Sequence, residues 1–137
     1  MAIEGQFILL MAANTYLSND FEYSLRVSVQ DVSYVANSRI FEGNILRYRA
    51  LSSLKMFEHG FDESADDRKE TFEYLLNAIE NIENALIIYK TKDLKQQDQD
   101  PNYYGIALST YIKGYIYQRF AAELCQESAS QFAGPFF

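Results

Sequence analysis

The one histidine, His59, and the one cysteine, Cys125, are the residues of this chain best able to do chemistry unaided. A thiolate beside an imidazole is a nucleophile, and since such partners meet only in the fold, their sequence separation does not exclude the pair. No local signature surrounds either residue. His59 precedes Gly60 at an expected helix end, where an imidazolium would complement the helix dipole. Cys125 lies in an apolar helical stretch and is expected to serve packing. A di-iron bundle needs Glu-x-x-His pairs, and Met56 stands three positions before His59. A haem ligand belongs inside a helix, which a residue next to Gly60 does not offer. A single cysteine leaves no intrachain disulfide and no cysteine-based zinc cluster.

The acids offer little more. Glu80 and Glu83 share one segment, and Asp62, Glu63, Asp66 and Asp67 crowd the stretch "EHGFDESADDRKE". Carboxylates hold a cation or move protons when several elements converge on a cleft. Here Ser64 and Asp67 form a capping-box pattern, so the acids read as a helix start favoured by its dipole. No Gly-rich phosphate loop is present. The expectation is a protein without catalytic residues, metal ligands or cofactor, and not an enzyme.

Charge narrows the partners. The formal net charge of -7 is spread evenly, ten acids and six bases in residues 1 to 68, nine and six in the rest. Apart from a loose set of Arg39, Arg47 and Arg49, no basic cluster exists to release counterions from nucleic acid, so sequence-specific nucleic-acid binding is not expected. The apolar "QFILLMAANTYLS" follows Glu4 with no Lys or Arg in the first 25 residues, which does not fit a signal peptide, and it is too short and interrupted to span a bilayer. The expected location is the cytoplasm, or a virion interior if the chain is viral.

What the sequence does have in excess is tyrosine, eleven residues with no tryptophan. Tyr103, Tyr104, Tyr111, Tyr115 and Tyr117 fall in one segment, where large apolar rings carry hydroxyls that want partners. Tyr is enriched where one protein covers another, and these five are the candidate interaction residues. The bland alternative is a core whose phenols reach its rim. Phe132, Phe136 and Phe137, around Gly134 and Pro135, form a candidate aromatic arm over 132–137. Burial of three phenylalanines roughly offsets the entropy of ordering such an arm, so it would dock only into a preformed groove, on this chain or a neighbour.

The elements that must position these residues read as helices. Phe72, Leu75, Ile79, Ile82, Leu86 and Tyr89 recur at 3-4-3-4-3 spacing, with Ala78 and Ala85 beside the seam and Glu73, Asn77, Glu80, Asn81 and Asn84 opposite. Ile87 and Ile88 make the last turn apolar nearly all round, so that end is expected to be the more deeply buried. In "YYGIALSTYIKGYIYQRFAAEL" apolar pairs recur about every four residues, and a helix is expected to start near Asp100 with Pro101 in its first position. A glycine inside a helix costs roughly 1 kcal/mol, so Gly114 and Gly43 each suggest a close approach of another element.

The stretch "FEYSLRVSVQ" alternates as a half-buried strand would. Helical spacing of Phe21, Leu25, Val29, Val32, Ala36 and Ile40 carries on past the alternation, and "SND" supplies N-caps, so helix is preferred. The expected fold is all-α, an elongated antiparallel bundle of about four helices over 3–17, 20–59, 65–92 and 101–131, in a single domain spanning 1–131. The alternative is an N-terminal β-hairpin followed by helices. A straight helix over 20–59 would be about 60 Å long, so a bend near Asn37 or Gly43, or an overhang meeting another chain, is expected. Lys113 and Gln126 do not fit a tetratricopeptide repeat.

These features point to a helical assembly subunit or adaptor acting through protein-protein contacts, with a protein partner or copies of itself. A virion component such as a phage neck or connector protein is one concrete version, by architectural analogy. The alternative is a regulatory, chaperone or small apolar ligand-binding bundle.

Overall fold

The computed structural model describes residues 2–29, 39–60, 68–91 and 102–125, and every regular element among them is helical. The elements are α1 (Ala2–Leu17), α2 (Phe21–Ser28), α3 (Arg39–Gly60), α4 (Arg68–Lys90) and α5 (Tyr103–Arg119), followed by a short helical segment at 121–125. The all-α expectation holds, and the helices pack on one another as a bundle.

The α1–α2 corner is built by two polar residues, Asn19 and Asp20. Asn19 has φ 65°, in the left-handed region that asparagine tolerates. Its N–H donates to the Tyr16 carbonyl and that of Asp20 to Thr15, which closes α1 in a Schellman pattern. Asp20 then caps α2, its carboxylate accepting from the Tyr23 N–H at 3.3 Å.

The single helix expected over 20–59 is divided. α2 ends at Val29, whose N–H donates back to Leu25, and α3 starts at Arg39. The face that α2 buries also differs from the expected one. Ser24, Val27 and Ser28 turn inward, whereas Val29 is exposed and Phe21 and Leu25 are half-buried. Serine is small enough to let α2 lie close to α1 and α3, and its hydroxyl finds partners there. Ser24 Oγ donates to the Ala12 carbonyl at 2.7 Å, and Ser52 Oγ donates to Ser24 Oγ at 2.9 Å. Arg49 closes the end of α2 by donating from Nε, at 2.9 Å, and Nη2 to the Ser28 carbonyl, placing its cation at the negative pole of the helix.

α3 is the centre of the bundle, touched by α1 and α2 on one side and by α4 and α5 on the other. α3 and α4 run antiparallel, with Phe57 against Phe72 at one end and Gly43 against Tyr89 at the other. The main core joins Ala50, Leu54 and Phe57 of α3 to Leu75, Ala78 and Ile82 of α4 and to Ile112, Ile116 and Phe120. Ile8, Val27 and Ile45 form a second cluster under α1 and α2, and Leu46, Ala85 and Tyr89 a third. The α4 seam is buried or half-buried along its length, with Ala78 and Ala85 fully buried. Its last turn is not apolar all round in use, because Ile87 faces outward.

The helix expected over 101–131 starts later and breaks earlier. Its cap is Asn102, whose Oδ1 accepts the Gly105 N–H at 3.0 Å, two residues past the expected Asp100. At Phe120 the backbone leaves helical geometry (φ -118°, ψ 26°), because that ring is drawn into the main core edge-on to Phe57 at 4.8 Å. Pro101, the acids at 62–67 and the arm at 132–137 lie outside the described residues.

Candidate interaction faces on α5 and α1

α5 is anchored by its inner face. Gly105, Ser109, Ile112 and Ile116 are buried against α4 and α3. The opposite face carries Tyr103, Tyr104, Ala107, Thr110, Tyr111 and Gly114, all exposed and none charged. A 3.6-residue repeat places Tyr104, Tyr111 and Gln118 almost in one line, with Tyr103, Ala107 and Gly114 beside it. Tyr103, Tyr104 and Tyr111 are 67%, 74% and 75% exposed. Three tyrosines this open on one uncharged helix face make a contiguous aromatic patch, the kind of surface that suits contact with another molecule.

The five candidate tyrosines therefore divide. Tyr103, Tyr104 and Tyr111 form the open face. Tyr115 is half-buried on the main core, its ring edge-on to Phe120 at 6.4 Å. Tyr117 leans toward α4, donating to Glu83 Oε1 at 3.3 Å, and the same carboxylate takes Lys113 at 3.5 Å. Both Lys113 and Glu83 are partly exposed, so their pairing adds at most about 1 kcal/mol. Phe132, Phe136 and Phe137 fall outside the described residues.

Gly43 and Gly114 separate in the same way. A Cβ on Gly43 would run into the ring of Tyr89, and one on Gly105 would meet the same ring at 2.7 Å, so the two glycines form a socket for that ring. Tyr89 donates its hydroxyl to Asn44 Oδ1, and burial raises its phenol above the ordinary tyrosine range, partly opposed by Arg47. Gly114 has nothing near its Cβ direction. The close approach expected there does not occur; Gly114 flattens the outer face of α5 instead.

The chemistry-bearing residues come together less than their types would allow. His59 is exposed at the end of α3, its ring edge-on to Phe21 at 5.3 Å. Cys125 is exposed, not packed as expected, because the break at Phe120 turns the following segment so that Leu124 takes the core contact. Among the described residues no hydrogen bond joins the two, and no group of three or more His, Cys, Asp or Glu could hold a metal ion. Arg49 is half-buried on Ser28, and burial lowers its guanidinium pKa; Arg47 lies 5.2 Å from the Tyr48 ring centroid. Among the described residues no helix is long and apolar enough to cross a membrane.

A second open face was missed in the sequence. On α1, Phe7, Leu10 and Leu17 are 61%, 57% and 73% exposed. Their spacing, 7-10-14-17 with Asn14 included, was the available signal, hidden because α1 is apolar on its inner side as well.

No family model matches the sequence, and no curated protein or solved structure matches it either.

Proposed function

We propose that this chain is a non-enzymatic helical assembly subunit or adaptor that works by covering the outer face of α5 with another protein. The observation that supports it is the uncharged surface of Tyr103, Tyr104 and Tyr111 around Ala107 and Gly114. Tyrosine suits such a contact because its ring gives apolar area at low entropic cost while the hydroxyl keeps the uncovered state in solution. Small residues between the rings let a partner backbone come near. The acidic charge of the chain disfavours nucleic acid as the direct partner. A structural role in a virus particle, such as a neck or connector position, is the specific form we favour, with the cytoplasm or virion interior as its place. That form rests on architecture, not on a motif.

The experiment compares the full chain with Tyr103→Gln/Tyr104→Gln/Tyr111→Gln. Glutamine keeps helix propensity and removes the rings. We expect the wild type to enter a defined complex with its native partner and the variant to stay out of it at equal thermal stability. Equal incorporation of both would overturn the reading.

A further inference from the structure

From Phe7 to Leu17 the exposed residues of α1 are Phe7, Leu10, Asn14 and Leu17; every other residue in that span is buried or half-buried. The 3-4-3 spacing is that of a heptad seam, with Phe7 and Asn14 at a and Leu10 and Leu17 at d. The sequence extends the same register back to Ile3. A surface helix ordinarily turns its charged side outward, yet this outward stripe holds three large apolar residues, one amide and no charge. Among the described elements α2 and α3 are the main neighbours of α1, and both the Val27 and Ile45 contacts fall on its Ile8 side, which leaves the exposed seam turned away from them.

We infer that this seam pairs with α1 of a second copy of the chain, as a parallel two-helix coiled coil with Asn14 facing its own equivalent across the axis. Two features select that occupant. An asparagine at an a position is satisfied by a second asparagine, since the amide both donates and accepts. Parallel in-register pairing supplies it, whereas antiparallel pairing brings a beside d and sets Asn14 against Leu10. Charge is the other feature. Copies of a chain with net charge -7 repel one another, and Phe7–Leu17 is a stretch with no charged residue, where that repulsion is least. A lipid surface fits less well, because interfacial helices anchor through Lys and Arg and the first 25 residues hold neither. The inference uses a different helix from the α5 reading and stands without it.

The test is sedimentation of the full chain from about 1 to 200 µM, a range set by a short seam whose dissociation constant is expected on the order of 10 µM. Wild type should pass from monomer to dimer. Leu10→Glu should remain monomeric throughout with unchanged helical circular dichroism, as its side chain already faces solvent. Asn14→Leu should associate more tightly. In a Cys125→Ser background, Asn14→Cys should form a covalent dimer on treatment with diamide, since a positions meet across a parallel pair and not across an antiparallel one. A wild-type monomer at 200 µM, or a dimer that survives Leu10→Glu, overturns the inference. Failure of the Asn14→Cys cross-link overturns the parallel arrangement. Dimerisation lost in the triple α5 tyrosine variant but kept in Leu10→Glu would overturn the α1 seam while supporting the α5 face.

Discussion

Tyr89 and the tyrosines of the outer α5 face use the same two residue types, tyrosine and glycine, to opposite ends. Around Tyr89, Gly43 and Gly105 remove the Cβ atoms that would strike the ring, so α3, α4 and α5 converge on one buried phenol whose hydroxyl is held by Asn44. On the outer face, Gly114 borders rings that none of the described residues covers. In the first place glycine permits packing within the molecule; in the second it leaves a smooth surface for packing with another. The difference teaches that an interior glycine in a helix is a statement about what lies opposite, and only the fold says whether that is a neighbouring helix or solvent.

The largest effect should come from closing the socket. Gly43→Ala should destabilise the protein by about 2 kcal/mol in a denaturant melt, since the added methyl would strike the buried Tyr89 ring, which also lies against Gly105. If the loss were absent, the socket would not be tight and the contrast with Gly114 would fail. Tyr89→Phe should cost about 1 kcal/mol, by leaving Asn44 without its donor.

The same phenol gives a pH dependence. Burial raises the pKa of Tyr89, and burial with Glu58 and Tyr48 raises that of Tyr16, above the unfolded value of about 10. Below pH 10 both states are protonated and stability is fully present. Above it the unfolded chain releases protons first, so stability falls as pH rises through the folded pKa values. Thermal melts between pH 8 and 11 should show the fall, and Tyr89→Phe should make it shallower.

Gly114→Ala should act in the opposite direction to Gly43→Ala, stabilising by about 0.8 kcal/mol through helix propensity, because a methyl there meets no atom. The smallest effect on folding belongs to the open rings. Each of Tyr103→Gln, Tyr104→Gln and Tyr111→Gln should leave stability within about 0.5 kcal/mol of wild type. A clear loss at any of them would mean that the ring is covered within the chain.

Much of the fold was legible where the pattern depended on one helix. The α4 seam from Phe72 to Tyr89 needed only period, and its small residues Ala78 and Ala85 stood beside it, where the structure packs α3. α2 was legible as a helix but not in its orientation. Its apolar residues suggested Phe21, Leu25 and Val29 inward, while the buried set is Ser24, Val27 and Ser28. Ser28 is satisfied locally by the Leu25 carbonyl, but Ser24 becomes stable inside the core only when the Ala12 carbonyl and the Ser52 hydroxyl stand opposite, and no local rule announces those partners. The candidate face was half legible: the tyrosines of one segment were evident, yet which three face out depended on the roll of α5, which buries Gly105, Ser109, Ile112 and Ile116.

By itself the sequence determined the helical class, through its apolar periods and caps, and the lack of a metal or phosphate motif, through its residue types. Both are set by covalent chemistry and near neighbours along the chain. Tertiary structure alone decided that Gly43 is a socket and Gly114 a surface, that α2 turns serine inward, and that among the described residues α1 and α5 turn apolar faces outward. Those outcomes depend on which atoms fill the space beside each helix, and that space is created only when the other helices arrive.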